Sequence, residues 1–171
     1  MNRRYAALFS AVLLLALLLC ACAKKQEEGV NPVTFYYLSG SDQFGTQTGA
    51  LAGETVDLLR TDLELNEIVE LYLQGSADPA FSDPFPNGLH CEQAELLDGS
   101  VCVRLTTEIE TLSGVELTLA EACLTKTLTE MTGAETVVLE TQNGVIPGGE
   151  SGVFSTEQFV LWDELSTEPE S

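Results

Sequence analysis

The chain has 171 residues, with seven Lys and Arg against 27 Asp and Glu, and a formal net charge of −20. That balance argues against a nucleic-acid backbone as partner, which needs clustered cations, and against a basic face lying on anionic lipid. At 44% hydrophobic the chain is no disordered acidic tail; it can bury one core but is too short for two ordinary domains with linkers.

Residues 1–21 read as an address. Arg3 and Arg4 precede an apolar run over 6–19 that only Ser10 interrupts, the layout of a secretory signal. In Leu19-Cys20-Ala21-Cys22, Leu stands three places before Cys22 and a small Ala directly before it. This is similar to the bacterial lipobox, where the signal is cut before a Cys whose thiol carries a diacylglycerol. Cys22 is thus the expected lipid-attachment residue; Cys20, with Leu directly before it, fits less well. The competing reading is an uncleaved span over 6–23, close to the lower limit of about 17–25 residues. Cleavage before Cys22 removes Arg3 and Arg4 and no acid, leaving the chain more acidic still. Residues 22–32 form a polar tether, with Lys24 and Lys25 beside the anchor. Buried acyl chains, worth about 0.8 kcal/mol per CH₂, hold such a protein at the membrane. The expected place is the extracytoplasmic face of the cell membrane.

Residues 33–38 (VTFYYL) are β-branched and aromatic and predict a strand. Residues 39–53 predict a loop, and 54–60 (ETVDLLR) a second strand. Thr61 or Asp62 is the expected N-cap of a helix over 63–74. Leu65, Ile68, Val69 and Tyr72 recur at helical spacing on one face, and Gly75 is the stop. Pro79, Pro84 and Pro86 exclude regular structure over 76–88.

Asp98-Gly99 is a strong two-residue hairpin signal between strands over 89–97 and 100–106. Pairing Leu97 with Ser100 places Glu95 opposite Cys102, Gln93 opposite Arg104 and Cys91 opposite Thr106. The core face is then Ala94, Leu96, Val101, Val103 and Leu105. A second helix over 116–131 carries Ala120, Cys123, Leu124, Leu128 and Met131 at helical spacing, and Gly133 closes it. Residues 136–141 (TVVLET) predict a buried-type strand. Asn143-Gly144 and Pro147-Gly148-Gly149 are turns, and 159–162 predict a last short strand. The expected fold class is α+β: a two-layer sandwich of a small mixed sheet with two amphipathic helices on one face. The domain spans 33–149, an aromatic C-terminal extension 150–163, and an acidic tail 164–171.

This order of elements resembles the GerMN domain of sporulation and germination lipoproteins. The carrying pieces are VTFYYL, LNEIVELYLQG ending in Gly75, PFPNG at 84–88, DGSVCVRLTTEI at 98–109, and LAEACLTKTLTEMTGAETVVLE. The chain departs from the family in having Gly75-Ser76 where Gly-Pro is frequent, and in Cys102. The resemblance implies a lipoprotein of the spore-forming cell envelope that acts in spore formation and germination. It also implies a domain similar to ring-building modules, or a lipoprotein partner of a sensor kinase. The family has no established catalytic residues, so none is carried over.

The residues themselves offer little chemistry. His90 adjoins Cys91, but neighbours on a strand point to opposite faces and cannot make a nucleophile–base pair. Cys91, Cys102 and Cys123 contain no C-x₂-C, and a single His makes a poor zinc set. Ser41-Asp42 and residues 78–83 read as solvated turns rather than calcium ligands. With Cys22 lipidated, three thiols remain and are expected free. Arg60, Arg104 and Lys126 are expected to balance local charge. Phe154, Phe159, Val160, Leu161 and Trp162 read either as an edge strand covering the sheet or as a partner-docking segment.

No catalytic residue, metal or cofactor is therefore expected. The leading expectation is a non-catalytic envelope module, anchored by lipid, that binds another envelope protein. The alternatives are a sensor-associated lipoprotein, or a small-ligand receptor for wall fragments with 39–53 and 76–88 as the rims of its pocket.

Overall fold

A computed structural model of the chain describes residues 31–40, 50–58, 60, 62–147 and 152–159. Strand β1 (Asn31–Ser39) buries Val33, Phe35, Tyr37 and Ser39 at the period of two that a pleated strand imposes. It pairs antiparallel with β2 (Leu51–Leu58), Val33 facing Val56 and Leu38 facing Leu51. The second strand thus begins and ends earlier than its composition predicts. The apolar ends Leu51 and Leu58 are what it buries.

Helix α1 (Leu65–Tyr72) starts later than predicted, and neither Thr61 nor Asp62 is its N-cap. The cap is Glu64, whose backbone N–H donates to Glu67 Oε2 at 2.9 Å, the return arm of a capping box. Val69 and Tyr72 are buried and Leu65 and Ile68 half-buried, so the predicted face is the inner one. Gly75 follows at φ +79°, a left-handed position that glycine occupies without steric cost. The proline-rich stretch is not wholly irregular. Its strand β3 (Phe81–Ser82) pairs with Ser39 and Leu38 of β1, in the gap between Pro79 and Pro84.

Strands β4 (Cys91–Leu97) and β5 (Ser100–Leu105) form the predicted hairpin, with Asp98 and Gly99 both at positive φ. Leu97 faces Ser100, Glu95 faces Cys102 and Gln93 faces Arg104. A register shift between Cys91 and Gln93 then places Cys91 opposite Leu105 and not Thr106. Val101, Val103 and Leu105 are fully buried, whereas Leu96 is 53% exposed. It sits at the outer end of an edge strand, next to the turn, beyond the reach of the core.

A 3-10 turn (Thr107–Thr111) and helix α2 (Val115–Thr132) cross over to β6 (Thr136–Thr141), which runs parallel to β5. Parallel neighbours need such a crossover. Gly133 closes α2 at φ +72°, its N–H donating to the Thr129 carbonyl at 2.8 Å. Strand β7 (Gly144–Val145) folds back on β6 from the Asn143 turn. Strand β8 (Val153–Phe154) also pairs with β6, and Phe154 is 1% exposed. The stretch read as an extension after the domain thus supplies a core residue. Phe159 follows a second 3-10 turn (Thr156–Gln158) rather than opening a strand; residues 160–162 lie outside the described residues.

The fold is α+β, as expected, but its strands divide into two sheets. One has the order β2-β1-β3; the other runs β4-β5-β6-β7, with β8 beside β6. The two are joined through the helices. Tyr72 of α1 is fully buried among the rings of Phe35, Tyr37 and Phe85. Its phenol donates to the Tyr36 carbonyl at 2.5 Å, and the Tyr37 phenol donates to the Tyr72 carbonyl at 3.1 Å. From α2, Thr127 Oγ1 accepts the Tyr36 N–H at 2.9 Å.

Two substitutions separate these roles. Tyr72→Ala should cost about 3–5 kcal/mol, the usual loss for a large buried aromatic. Tyr72→Phe keeps the rings and should cost about 1–3 kcal/mol, because the Tyr36 carbonyl loses a buried donor. Urea unfolding followed by far-UV circular dichroism measures both.

Candidate functional site

His90 and Cys91, read as unable to form a thiol–imidazole pair, are instead each tied to a third residue, His90 through its ring and Cys91 through its backbone N–H. Glu70, on the half-buried side of α1, reaches the start of β4. Its Oε1 lies 2.6 Å from His90 Nδ1, and its Oε2 accepts the Cys91 N–H at 2.8 Å. Burial alone would raise the Glu70 carboxyl; the Cys91 N–H and His90 outweigh it and hold it below its usual range. The same contact, first through the hydrogen bond and then through charge, raises the exposed His90 imidazole. Glu70 therefore pins α1 to the sheet. The Cys91 thiol is pushed up to about 11, by burial and then by the Glu70 charge. A thiol held protonated is a poor nucleophile, and the contacts of Glu70 clasp α1 to the start of β4.

All three thiols of the domain are unpaired. Cys91 faces Leu105 while Cys102 faces Glu95, several residues away along the ladder. Cys123 is fully buried in α2, and burial pushes it up to about 12. Alkylation with iodoacetamide at pH 8 should therefore modify half-buried Cys102 first, Cys91 more slowly, and Cys123 only on unfolding. Peptide mass spectrometry against time gives the order.

Cys22, the expected lipid attachment, lies outside the described residues, as do Ser41 and Asp42. Asp78 and Asp83 act as turn residues, accepting the N–H of Ala80 and Phe85 at 2.9 Å each. Among the described residues no three His, Cys, Asp or Glu side chains converge on a metal position. Among them, too, no helix is long and apolar enough to cross a membrane.

The three cations of the domain are all engaged locally. Arg60 pairs with Asp62 at 3.0 Å and Glu67 at 3.9 Å. Arg104 binds Glu140 across the β5–β6 ladder at 2.5 Å and reaches Gln93 at 3.4 Å. The Lys126 ammonium stands 4.6 Å from the centre of the Tyr36 ring.

Two carboxylates that the sequence did not single out matter more. Glu121, in the middle of α2, is 5% exposed, and its Oε1 has no partner among the described residues. Burial pushes its carboxyl up to about 7. Its folded value exceeds its unfolded one, so the folded state binds the extra proton. Stability is therefore lost as pH rises from about 4.5 through 7. Glu121→Met should stabilise the protein on the order of 2 kcal/mol at pH 8 and far less at pH 5. Thermal melts of both proteins across that range test the sign. Helical spacing gave a hint, since 121 lies beside 117, 124 and 128, but an acidic residue reads as solvent-facing by type.

Glu110 stands at the mouth of a hollow of about 310 Å³. The hollow is lined by Ile109, Leu112, Leu117, Val145, Ile146 and Pro147 together with Thr141, Asn143 and Gly144. Thr141 Oγ1 donates to Glu110 Oε1 at 2.6 Å, and Asn143 Nδ2 lies 3.1 Å from both carboxylate oxygens. A second, more open hollow of about 410 Å³ lies between β1, α1 and α2, with Val33, Leu65, Ile68 and Met131 among its lining and Glu130 at its rim. The described lining of neither includes 39–53 or 76–88, where the rims of a ligand pocket were expected.

Comparison with known proteins places this architecture. The described domain has a GerMN-like fold. It is similar to the first GerMN domain of the sporulation protein GerM from Bacillus subtilis, with a TM-score of 0.55 at 15% identity, over 73% of this chain and 95% of that one. The tandem GerMN domains of the same protein match with a TM-score of 0.55 at 16% identity, over 78% of this chain. This chain covers 47% of that tandem structure. No family model matches the sequence, and no curated protein does. At such identity the likeness concerns the fold.

Proposed function

We propose that this protein is a lipid-anchored, non-catalytic module of the bacterial envelope that binds another envelope protein, in sporulation or in envelope assembly. The observation that carries the reading is the GerMN-like fold, shared with a sporulation protein. Two further features support it. The Leu19-Cys20-Ala21-Cys22 sequence behind an apolar run suits lipidation at Cys22. Glu70, Asp78, Asp83 and Arg104 each complete a backbone or cross-strand contact rather than converging on one centre. Receipt of a small wall fragment remains the second reading, with 39–53 and 76–88 as the expected rims of its pocket.

Lipidation is tested on the full chain expressed in a spore-forming host. Mass spectrometry of the N-terminal peptide should show a diacylglycerol on Cys22. Cys22→Ala should retain residues 1–21 without lipid, while Cys20→Ala is processed normally. Crosslinking during sporulation, followed by pulldown, should enrich an envelope protein. A monomer without an enriched partner, together with normal sporulation on deletion of the gene, contradicts the interaction role.

A further inference from the structure

We propose that the hollow between the 3-10 turn and the β6–β7 hairpin docks a partner segment presenting an apolar side chain next to a lysine. The inference rests on the reading of this protein as a protein-binding module and gives that module a surface and its partner a chemistry.

The hollow is large enough to take an apolar side chain. Its volume of about 310 Å³ lies at the bottom of the range of about 300–1,000 Å³ for small-molecule pockets. Most of its lining is aliphatic. Val145, a β7 residue on its wall, is 53% exposed. The Gly152 backbone runs close against it: a methyl group added there would stand 2.7 Å from the Val145 Cβ.

Glu110 sets the charge of the occupant. Thr141 and Asn143 fix its carboxylate at the mouth of the hollow. An ionised carboxylate has about four acceptor positions. Oε1 uses two of them on Thr141 and Asn143, and Oε2 uses one on Asn143. The position left on Oε2 fits a single N–H donor. A lysine ammonium meets that geometry as a compact charge, whereas the arginine fork is suited to two parallel bonds.

The domain's own cations do not supply that charge. Arg60, Arg104 and Lys126 are each engaged locally, and the other cations of the chain are Arg3, Arg4, Lys24 and Lys25, before the domain. A second copy of this domain therefore offers Glu110 no free cation, and two domains of this acidity repel one another. A basic partner is drawn in by the same field.

The test uses the full-length lipid-anchored protein in detergent micelles and fluorescent nine-residue Ser/Ala peptides. These carry Leu-Lys, Leu-Arg, Leu-Gln or Leu-Glu at the centre, and binding is read by fluorescence anisotropy. The Leu-Lys peptide should bind at least fivefold more tightly than Leu-Gln, with a gap that narrows as salt rises. Glu110→Gln should erase that gap, and Val145→Asp should abolish binding of every peptide. Glu157→Gln, a surface carboxylate elsewhere, should change nothing. Should Glu110→Gln unfold, Val145→Asp decides alone, since Val145 is half in solvent.

Equal binding to wild type and both variants, no preference for lysine, or no peptide binding would overturn the proposal. So would free lysine competing as well as the peptide, or self-association in sedimentation that Val145→Asp removes. Pulldown separates the two levels of the argument. A partner retained by both variants removes this surface and leaves the module, whereas a wild-type chain with no partner removes both.

Discussion

The backbone N–H and carbonyl of Tyr36 are the point on which the two halves of the domain depend. Strand β3 is two residues long and covers β1 only at Leu38 and Ser39. Beyond it, the Tyr36 N–H and carbonyl are met by side chains: the hydroxyl of Thr127 on α2 and the phenol of Tyr72 on α1. A buried peptide without partners costs as much as a lost hydrogen bond. Both helices are thereby registered against one strand. The aromatic cluster of Phe35, Tyr37, Tyr72 and Phe85 then adds the burial that keeps them there.

Helix α2 bears the consequence. It packs on β1 of one sheet and on β5 and β6 of the other, so most of its circumference is interior. Ala120, Ala122 and Cys123 keep the approach close, while Thr125, Thr127 and Glu121 are enclosed with them. Thr127 is used on Tyr36. The crossover that carries α2 also delivers the 3-10 turn, and with it Glu110, to the end of β6 where Thr141 and Asn143 wait. The hollow follows from the same connection that closes the core.

The domain spends its few cations on its own carboxylates and on one aromatic ring, which leaves an acidic exterior uncompensated. That asymmetry divides the charge along the chain: Arg3, Arg4, Lys24 and Lys25 precede the domain, and the domain itself is strongly acidic.

Short-range chemistry was legible in the sequence. Asp98-Gly99 announced its hairpin and register as far as Gln93, Gly133 and Gly75 marked helix ends, and the TVVLET run marked β6 to the residue. Each depends on backbone preferences or on a period spanning a few neighbours. The lipobox-like pattern at Cys22 is also local, and it lies outside the described residues. What only tertiary structure decided depends on distant partners. The division into two sheets, the bulge that moves Cys91 to Leu105, the recruitment of Phe154 to the core and the exposure of Leu96 all follow from which edge lies beside which. Glu70, Glu110 and Glu121 look alike in sequence as three acids among many. Burial and neighbours contributed from 20 to 33 residues away make one a clasp and another the mouth of a hollow; enclosure alone makes the third a carboxyl that holds its proton near neutral pH. No local pattern encodes those distances.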